Sequence, residues 1–301
     1  MKVRGRLAPS PTGALHLGNA RSFLLAWLDV RSREGEIVLR VEDLDGPRNK
    51  PHAVQEAISD LEWLGLDWDE GPFFQRERLG VYREAFEQLR DLNYLYPCVC
   101  SRKDVEEAAS APHESLDGAV YPGTCRGQKV NAKNPCWRFR VPENCQVEFQ
   151  DRFAGPQSFQ VDQQLGDFVV WNRNDEPAYQ LAVLLDDHAQ GINEVLRGAD
   201  LLPSTSRQLL LHEALSLLPP SYAHLPLVRG GDGRRLAKRH GDTTLRFFRE
   251  NGWSPQKVVG LLAFWSGLGP QGGEATPSEL LKDFDLRRVP SDEPVWSEPA
   301  H

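Results

Sequence analysis

Apolar and polar positions alternate along the chain in a way that divides it into short strands and longer helices. Residues 2–7 read as a short strand. In residues 19–34, Ala20, Phe23, Leu24, Trp27 and Leu28 recur at the spacing of one helical face, and Gly35 ends the run. Residues 36–41 (EIVLRV) read as a second strand, and strand, helix and strand together make a βαβ unit, because parallel strands need a crossover connection. Further helices are expected at residues 51–64, with Pro51 in the permitted first turn, and at residues 78–92.

Between residues 96 and 177 the pattern changes. The runs WRFRV, VEFQDRF and GDFVVW are short, strand-like and separated by prolines and cysteines, so a β-rich insertion is expected there. Longer apolar segments return at YQLAVLLDD and EVLRGADLL, followed by helical stretches at residues 204–217, TTLRFFRENG and SPQKVVGLLAFWSGLG. The expected organisation is a first half of an α/β domain (1–95), the insertion (96–178), the second half (179–235), and a loop with a helical region and an acidic, Pro-rich tail (236–301). The very end of that tail is expected to be poorly ordered.

The 301 residues suffice for a sizeable core, and 40% hydrophobic with 26% charged residues is the balance of an ordinary globular protein. No run of 18 apolar residues and no signal-like N-terminus is present, so a cytoplasmic protein without a membrane partner is expected. A net charge of −8 argues against a general nucleic-acid coat, since phosphate binding depends on Lys and Arg. A local basic face is still expected between residues 229 and 249, where Arg229, Arg234, Arg235, Lys238, Arg239, Arg246 and Arg249 outnumber the acids.

The loop APSPTGALHLGNAR carries the first candidate chemistry. It joins the first strand to the first helix, at the strand end where open α/β sheets bind ligands. Gly13 and Gly18 allow close backbone approach, the N–H groups of the helix start near Asn19 favour an anion, and His16 adds a side-chain donor. The spacing matches neither the dinucleotide fingerprint nor the P-loop, so a phosphate site of another kind is expected.

His16-Leu17-Gly18-Asn19 resembles the HIGH signature of the class I aminoacyl-tRNA synthetases, and RLAPSPTGALHLGNAR is similar to their glutamyl branch. Three later stretches agree: LRVEDLD, YQLAVLLDDHAQGINEVLRGADLL, and RRLAKRHGD, which resembles a KMSKS loop with Lys238 as the second lysine, Arg235 for the first and Ala237 for the serine. The resemblance implies an α/β fold with a Rossmann-type parallel sheet, a β-rich, zinc-bearing insertion and a short C-terminal helical region. It implies ATP held by His16, Gly18, Asn19 and Lys238, with magnesium, and His16 and Lys238 as the catalytic pair. It also implies a glutamate site of Arg6, Ala8, Ser10, Glu42, Tyr179 and Arg197. Arginines suit two carboxylates, and a buried acid suits the ammonium.

About 60 residues follow Lys238, so an anticodon-reading domain is not expected. The shorter members of the glutamyl branch activate glutamate without tRNA and transfer it to the queuosine base in the anticodon loop of tRNA(Asp), and that activity is the expectation here. Two other readings stay open: a short glutamyl ligase charging a tRNA 3′ end, and a non-catalytic tRNA-binding relative.

Five cysteines do not look like a disulfide framework. Cys98, Cys100 and Cys125 supply three thiols within 28 residues, one short of a tetrahedral zinc site, and spacing alone leaves the fourth ligand open among His113, Cys136 and water. The family resemblance selects Tyr121, giving one structural zinc on Cys98, Cys100, Tyr121 and Cys125. Cys136 and Cys145 are expected to be core residues.

Overall fold

The structure, a computed structural model, describes residues 2–11, 13–44, 52–108, 118–234, 236 and 243–296. β1 (Arg4–Leu7), α1 (Leu17–Arg31) and β2 (Glu36–Val41) form the expected crossover unit, with β1 and β2 parallel and Leu7 opposite Leu39. The inward face of α1 packs Leu17, Ala20, Leu24, Leu25 and Leu28 against the sheet, each at most 1% exposed, and this burial is the main force holding the unit. The helix lies so close that a Cβ on Gly5 would sit 2.4 Å from Val30 Cγ2, so β1 needs glycine at this point.

α2 (Ala53–Trp63) leads to β3 (Glu70–Phe74), which pairs in parallel with β2. The apolar pattern does not announce β3. EGPFF is mostly exposed and carries a proline, as an edge strand tolerates. α3 (Leu79–Asp91) then leads into the insertion, where β4 (Leu95–Cys98), α4 (Arg102–Ala108), β5 (Cys136–Phe139), β6 (Gln146–Asp151), β7 (Gly155–Gln160), α5 (Val161–Gln164) and β8 (Phe168–Trp171) follow. β4, β5 and β8 make an antiparallel sheet, and β6 and β7 a hairpin. Their order agrees with the β-rich reading of this stretch. Cys136 is buried within β5, whereas Cys145 is half-buried in the turn before β6.

The parallel arrangement resumes with α6 (Tyr179–Ala189), β9 (Glu194–Gly198), α7 (Leu202–Ala214) and β10 (Ser221–Leu225), β9 and β10 being paired in parallel. β9 lies beside β1: the Asn193 N–H donates to the Arg4 carbonyl at 3.0 Å, and the Arg6 guanidinium to the Leu196 carbonyl at 3.4 Å. The carboxyl ends of β1, β2 and β9 therefore meet on one side of the molecule. The chain closes with β11 (Arg229–Gly230), α8 (Leu245–Glu250), α9 (Pro255–Trp265), α10 (Pro277–Leu280) and β12 (Val295–Trp296). β12 pairs with β11, and Trp296 is buried edge-on against Phe248 and Trp265, so the Pro-rich stretch is packed as far as Trp296. The expected disorder at the very end concerns residues 297–301, which lie outside the described residues. Among the described residues no helix is long and apolar enough to cross a membrane.

Candidate active site

At the meeting point of β1, β2 and β9 lies a cavity of about 290 Å³. Its lining includes Arg6, Ala8, Ser10, His16, Gly18, Asn19, Glu42, Tyr179 and Arg197. Every residue expected at the glutamate and ATP sites borders this one space except Lys238, which lies outside the described residues.

One end of the cavity is built from charged side chains on regular elements. Arg6 (β1) sits 3.5 Å from an Asp187 carboxylate oxygen. Arg40, wholly buried in β2, donates to Asp187 at 2.8 Å and to Glu42 at 3.2 Å. Burial alone would pull the Arg40 guanidinium down, but Asp187, Glu42 and Asp186 outweigh it and keep the cation. Burial pushes the Glu42 carboxyl up, and Arg40 and Arg6 only partly restore it. Burial likewise pulls Arg6 down, with Asp187 opposing, and Arg40 and Arg197 add to the fall. Glu42 thus lacks full positive compensation, and Arg6 lacks full negative compensation.

Arg197 is the extreme case. It is 5% exposed, yet it donates only to neutral groups: His224 Nε2 at 3.0 Å, Thr205 Oγ1 at 2.7 Å, Gln208 Oε1 at 2.8 Å and the Tyr179 hydroxyl at 3.4 Å. Among the described residues no carboxylate pairs with it. A buried cation without a counter-charge is costly, and one that borders a cavity is suited to an anionic ligand.

The other end is built from backbone. His16 is the N-cap of α1, and the Gly18 and Asn19 N–H groups donate to its Nδ1 at 3.1 and 3.3 Å. This corrects the expectation that both N–H groups stand open to an anion. With Nδ1 accepting, a neutral ring carries its proton on Nε2, where it is a donor. A Cβ on Gly18 would meet the ring at 3.0 Å, so glycine lets the imidazole fold over the helix start. Thr243 and Thr244 bind the same loop: the Leu17 N–H donates to the Thr243 carbonyl at 3.0 Å, and His16 and Thr244 form an antiparallel bridge. On the other flank Leu236 lines the cavity.

Three arginines of the expected basic face are paired with acids. Arg229 pairs with Glu293 at 2.6 Å, Arg249 with Asp60 at 2.8 Å, and Arg246 with Glu56. The acids come from other elements, which local charge counting does not reveal. Arg235 and Arg239 lie outside the described residues.

Residues 2–289 match the family of class I tRNA synthetases (E and Q), catalytic domain. The chain belongs to this family. It is 49% identical to the Glutamyl-Q tRNA(Asp) synthetase of Symbiobacterium thermophilum, over 97% of this chain and 94% of that protein. It is also 49% identical to the Glutamyl-Q tRNA(Asp) synthetase of Rhodopirellula baltica, over 94% of this chain and 91% of that one. Among solved structures it resembles a glutamate tRNA ligase from Elizabethkingia meningosepticum in complex with its amino acid, with a TM-score of 0.83, 27% identity, and 99% of this chain and 67% of that chain covered.

The insertion of this class I synthetase holds a second cluster. The sulfurs of Cys98, Cys100 and Cys125 lie within 4.8 Å of one another, and Cys100 and Cys125 are 3.7 Å apart. A tetrahedral zinc with Zn–S bonds of about 2.3 Å places its ligand sulfurs roughly 3.8 Å apart. The Tyr121 oxygen sits 3.4 Å from the Cys98 sulfur and 3.7 Å from that of Cys100, whereas the Cys136 thiol donates to the Cys98 carbonyl. His113 lies outside the described residues. Hydrogen bonds from Cys136, Tyr121 and Arg138 outweigh burial and bring the Cys98 thiol down to about 3. Burial and the neighbouring Cys98 push the Tyr121 phenol up, so its ionisation there calls for a dication. The donor set fits zinc.

Sequence reading missed Arg40, Asp187, Thr205, Gln208 and His224. The signals available were a single arginine inside the apolar strand EIVLRV, a single histidine inside SYAHL, and two adjacent acids at the end of an apolar helix. None of these says which partner each residue meets, because the partners are distant in sequence.

Proposed function

We propose that the chain activates glutamate with ATP, without tRNA, and transfers it to the queuosine base in the anticodon loop of tRNA(Asp). The observation that carries the first step is the buried Arg197, paired with no carboxylate among the described residues, which lines with Glu42 one cavity that also reaches the His16 helix start. Arg197 and Tyr179 take the side-chain carboxylate, Glu42 takes the α-ammonium, and Arg6 with Ala8 and Ser10 complete the pocket. The α-carboxylate then attacks the α-phosphorus of ATP and pyrophosphate leaves. Positioning and charge stabilisation carry this step: the His16 ring through Nε2 and the Asn19 side-chain amide hold the phosphates, Gly18 leaves room for their close approach, and Lys238 meets the charge on the departing pyrophosphate. Magnesium accompanies ATP as in class I synthetases generally.

In the second step a hydroxyl of the queuosine ring attacks the acyl carbon of glutamyl-adenylate and AMP leaves. The near full-length likeness to two proteins named Glutamyl-Q tRNA(Asp) synthetase supports this acceptor. A base displayed on a single-stranded loop suits recognition by a pocket. Glutamate-dependent ATP–pyrophosphate exchange in the absence of tRNA tests the activation step; exchange that starts only when tRNA is added would contradict it.

The cysteine cluster is the proposed zinc site, with Cys98, Cys100, Tyr121 and Cys125 as ligands and the insertion's loops held closed by them. Elemental analysis should give about one zinc per chain. Cys98→Ser should abolish that zinc and lower the melting temperature. Protein purified without zinc, or a Cys98→Ser protein that keeps it, would remove the assignment.

A further inference from the structure

Behind the proposed glutamate site, a buried relay runs from the hairpin of the insertion to Arg197. Asp151 closes β6, and one of its oxygens accepts three backbone N–H groups, from Ala154 at 2.7 Å, Phe153 at 2.9 Å and His224 at 3.1 Å. Its second oxygen lies 2.6 Å from His224 Nδ1, and His224 Nε2 lies 3.0 Å from Arg197 Nε. Asp151 and His224 are each 1% exposed, so no solvent competes along this line.

Donor and acceptor roles along it follow from chemistry. A guanidinium Nε carries only a donor, so His224 Nε2 accepts, and Nδ1 carries the proton that goes to Asp151. Burial pushes the Asp151 carboxyl up, but its bonds to His224 and the Ala154 N–H outweigh that and hold it below the usual carboxylate range. Burial, with the Arg197 charge adding, pulls His224 down despite Asp151, consistent with a neutral ring. The outcome is a cation that is aimed but that no carboxylate among the described residues neutralises. Had a carboxylate stood where the imidazole stands, Arg197 would already be paired.

We propose that His224 and Asp151 are positioning residues that aim Arg197 through a single imidazole tautomer and thereby set the pocket's preference for a carboxylate over a neutral amide. The inference rests on the glutamate reading of the cavity. It assigns to the insertion's hairpin a part in amino-acid selection, by way of a residue that touches no substrate.

The test combines kinetics with spectroscopy. Asp151→Asn keeps an oxygen for the three backbone N–H groups but offers an amide N–H to His224 Nδ1. The proton must then move to Nε2, where it faces the Arg197 donor, as when a triad aspartate is replaced by asparagine. In ATP–pyrophosphate exchange, KM for glutamate should rise about tenfold, the worth of one hydrogen bond to a charged group. KM for ATP should stay put, and the preference for glutamate over glutamine should fall. His224→Gln, which retains an acceptor oxygen, should recover part of the loss that His224→Ala suffers. Nitrogen-15 spectra of histidine-labelled protein should show His224 protonated on Nδ1 in the wild type. A wild-type ring protonated on Nε2, or normal glutamate kinetics in Asp151→Asn or His224→Ala, would overturn the inference. Wild-type protein without glutamate-dependent exchange would instead sink the glutamate reading itself.

Discussion

The two ends of the cavity are made in different ways. At the Arg197 end, charged side chains stand on β1, β2, β9 and α6 and are locked by other buried side chains: Arg40 by Asp187, Arg197 by His224, Thr205 and Gln208. At the His16 end, the parts are a loop, a helix cap and backbone N–H groups, held by hydrogen bonds to Thr243 and by Asp60, which accepts the Leu15 N–H at 3.1 Å. The difference matches the roles proposed for the two ends. A small amino acid must be told from its amide, which calls for fixed charges, whereas triphosphate geometry changes during reaction, which suits loops and rotatable donors.

The sharpest way to break the comparison is Arg197→Ala. Losing this buried cation should raise KM for glutamate roughly 100-fold while KM for ATP changes little. Equal effects on both substrates would show that the two ends are not separate. His16→Ala should act on the other end: kcat should fall about tenfold or more, with a loss of about 1 kcal/mol in stability from the missing N-cap. Denaturant unfolding beside the kinetics separates the two effects, and an unchanged kcat would remove His16 from the phosphate end.

The smallest expected effect concerns Asp60, which ties the His16 loop to Arg249. Burial pushes its carboxyl up to about 6, against the pull of the Leu15 N–H and Arg249. A carboxyl raised in the folded state favours folding when protonated, below its unfolded value of about 4, and that contribution is lost as pH rises through about 6. Asp60→Asn does not titrate. Its stability relative to the wild type should therefore climb between pH 4 and 7, by denaturant titration at several pH values, and a flat difference would show that Asp60 does not titrate in this way.

The same division explains what could be read from the sequence. The βαβ unit was legible because α1 hides an apolar face and EIVLRV is apolar but for Glu36 and Arg40. His16, Glu42 and Arg197 were legible because their stretches resemble a family, and the cavity brings them together. β3 was not legible, since an exposed edge strand with a proline carries no hydrophobic signature. The supports of Arg197 were not legible either. His224 and Asp151 are 73 positions apart, and only the docking of the hairpin against β10 joins them. The pairing of Arg229, Arg246 and Arg249 was not legible for the same reason, because their acids come from α2 and from beyond α10.

The account stands on glutamate reaching a base in the anticodon loop. The most direct test supplies labelled glutamate and ATP with tRNA(Asp) that carries or lacks queuosine, each with its 3′-terminal adenosine intact or removed. Labelling that requires queuosine and does not require the terminal adenosine is the predicted result. Labelling that ignores queuosine and disappears with the terminal adenosine would contradict the account and make the chain a ligase for the tRNA 3′ end.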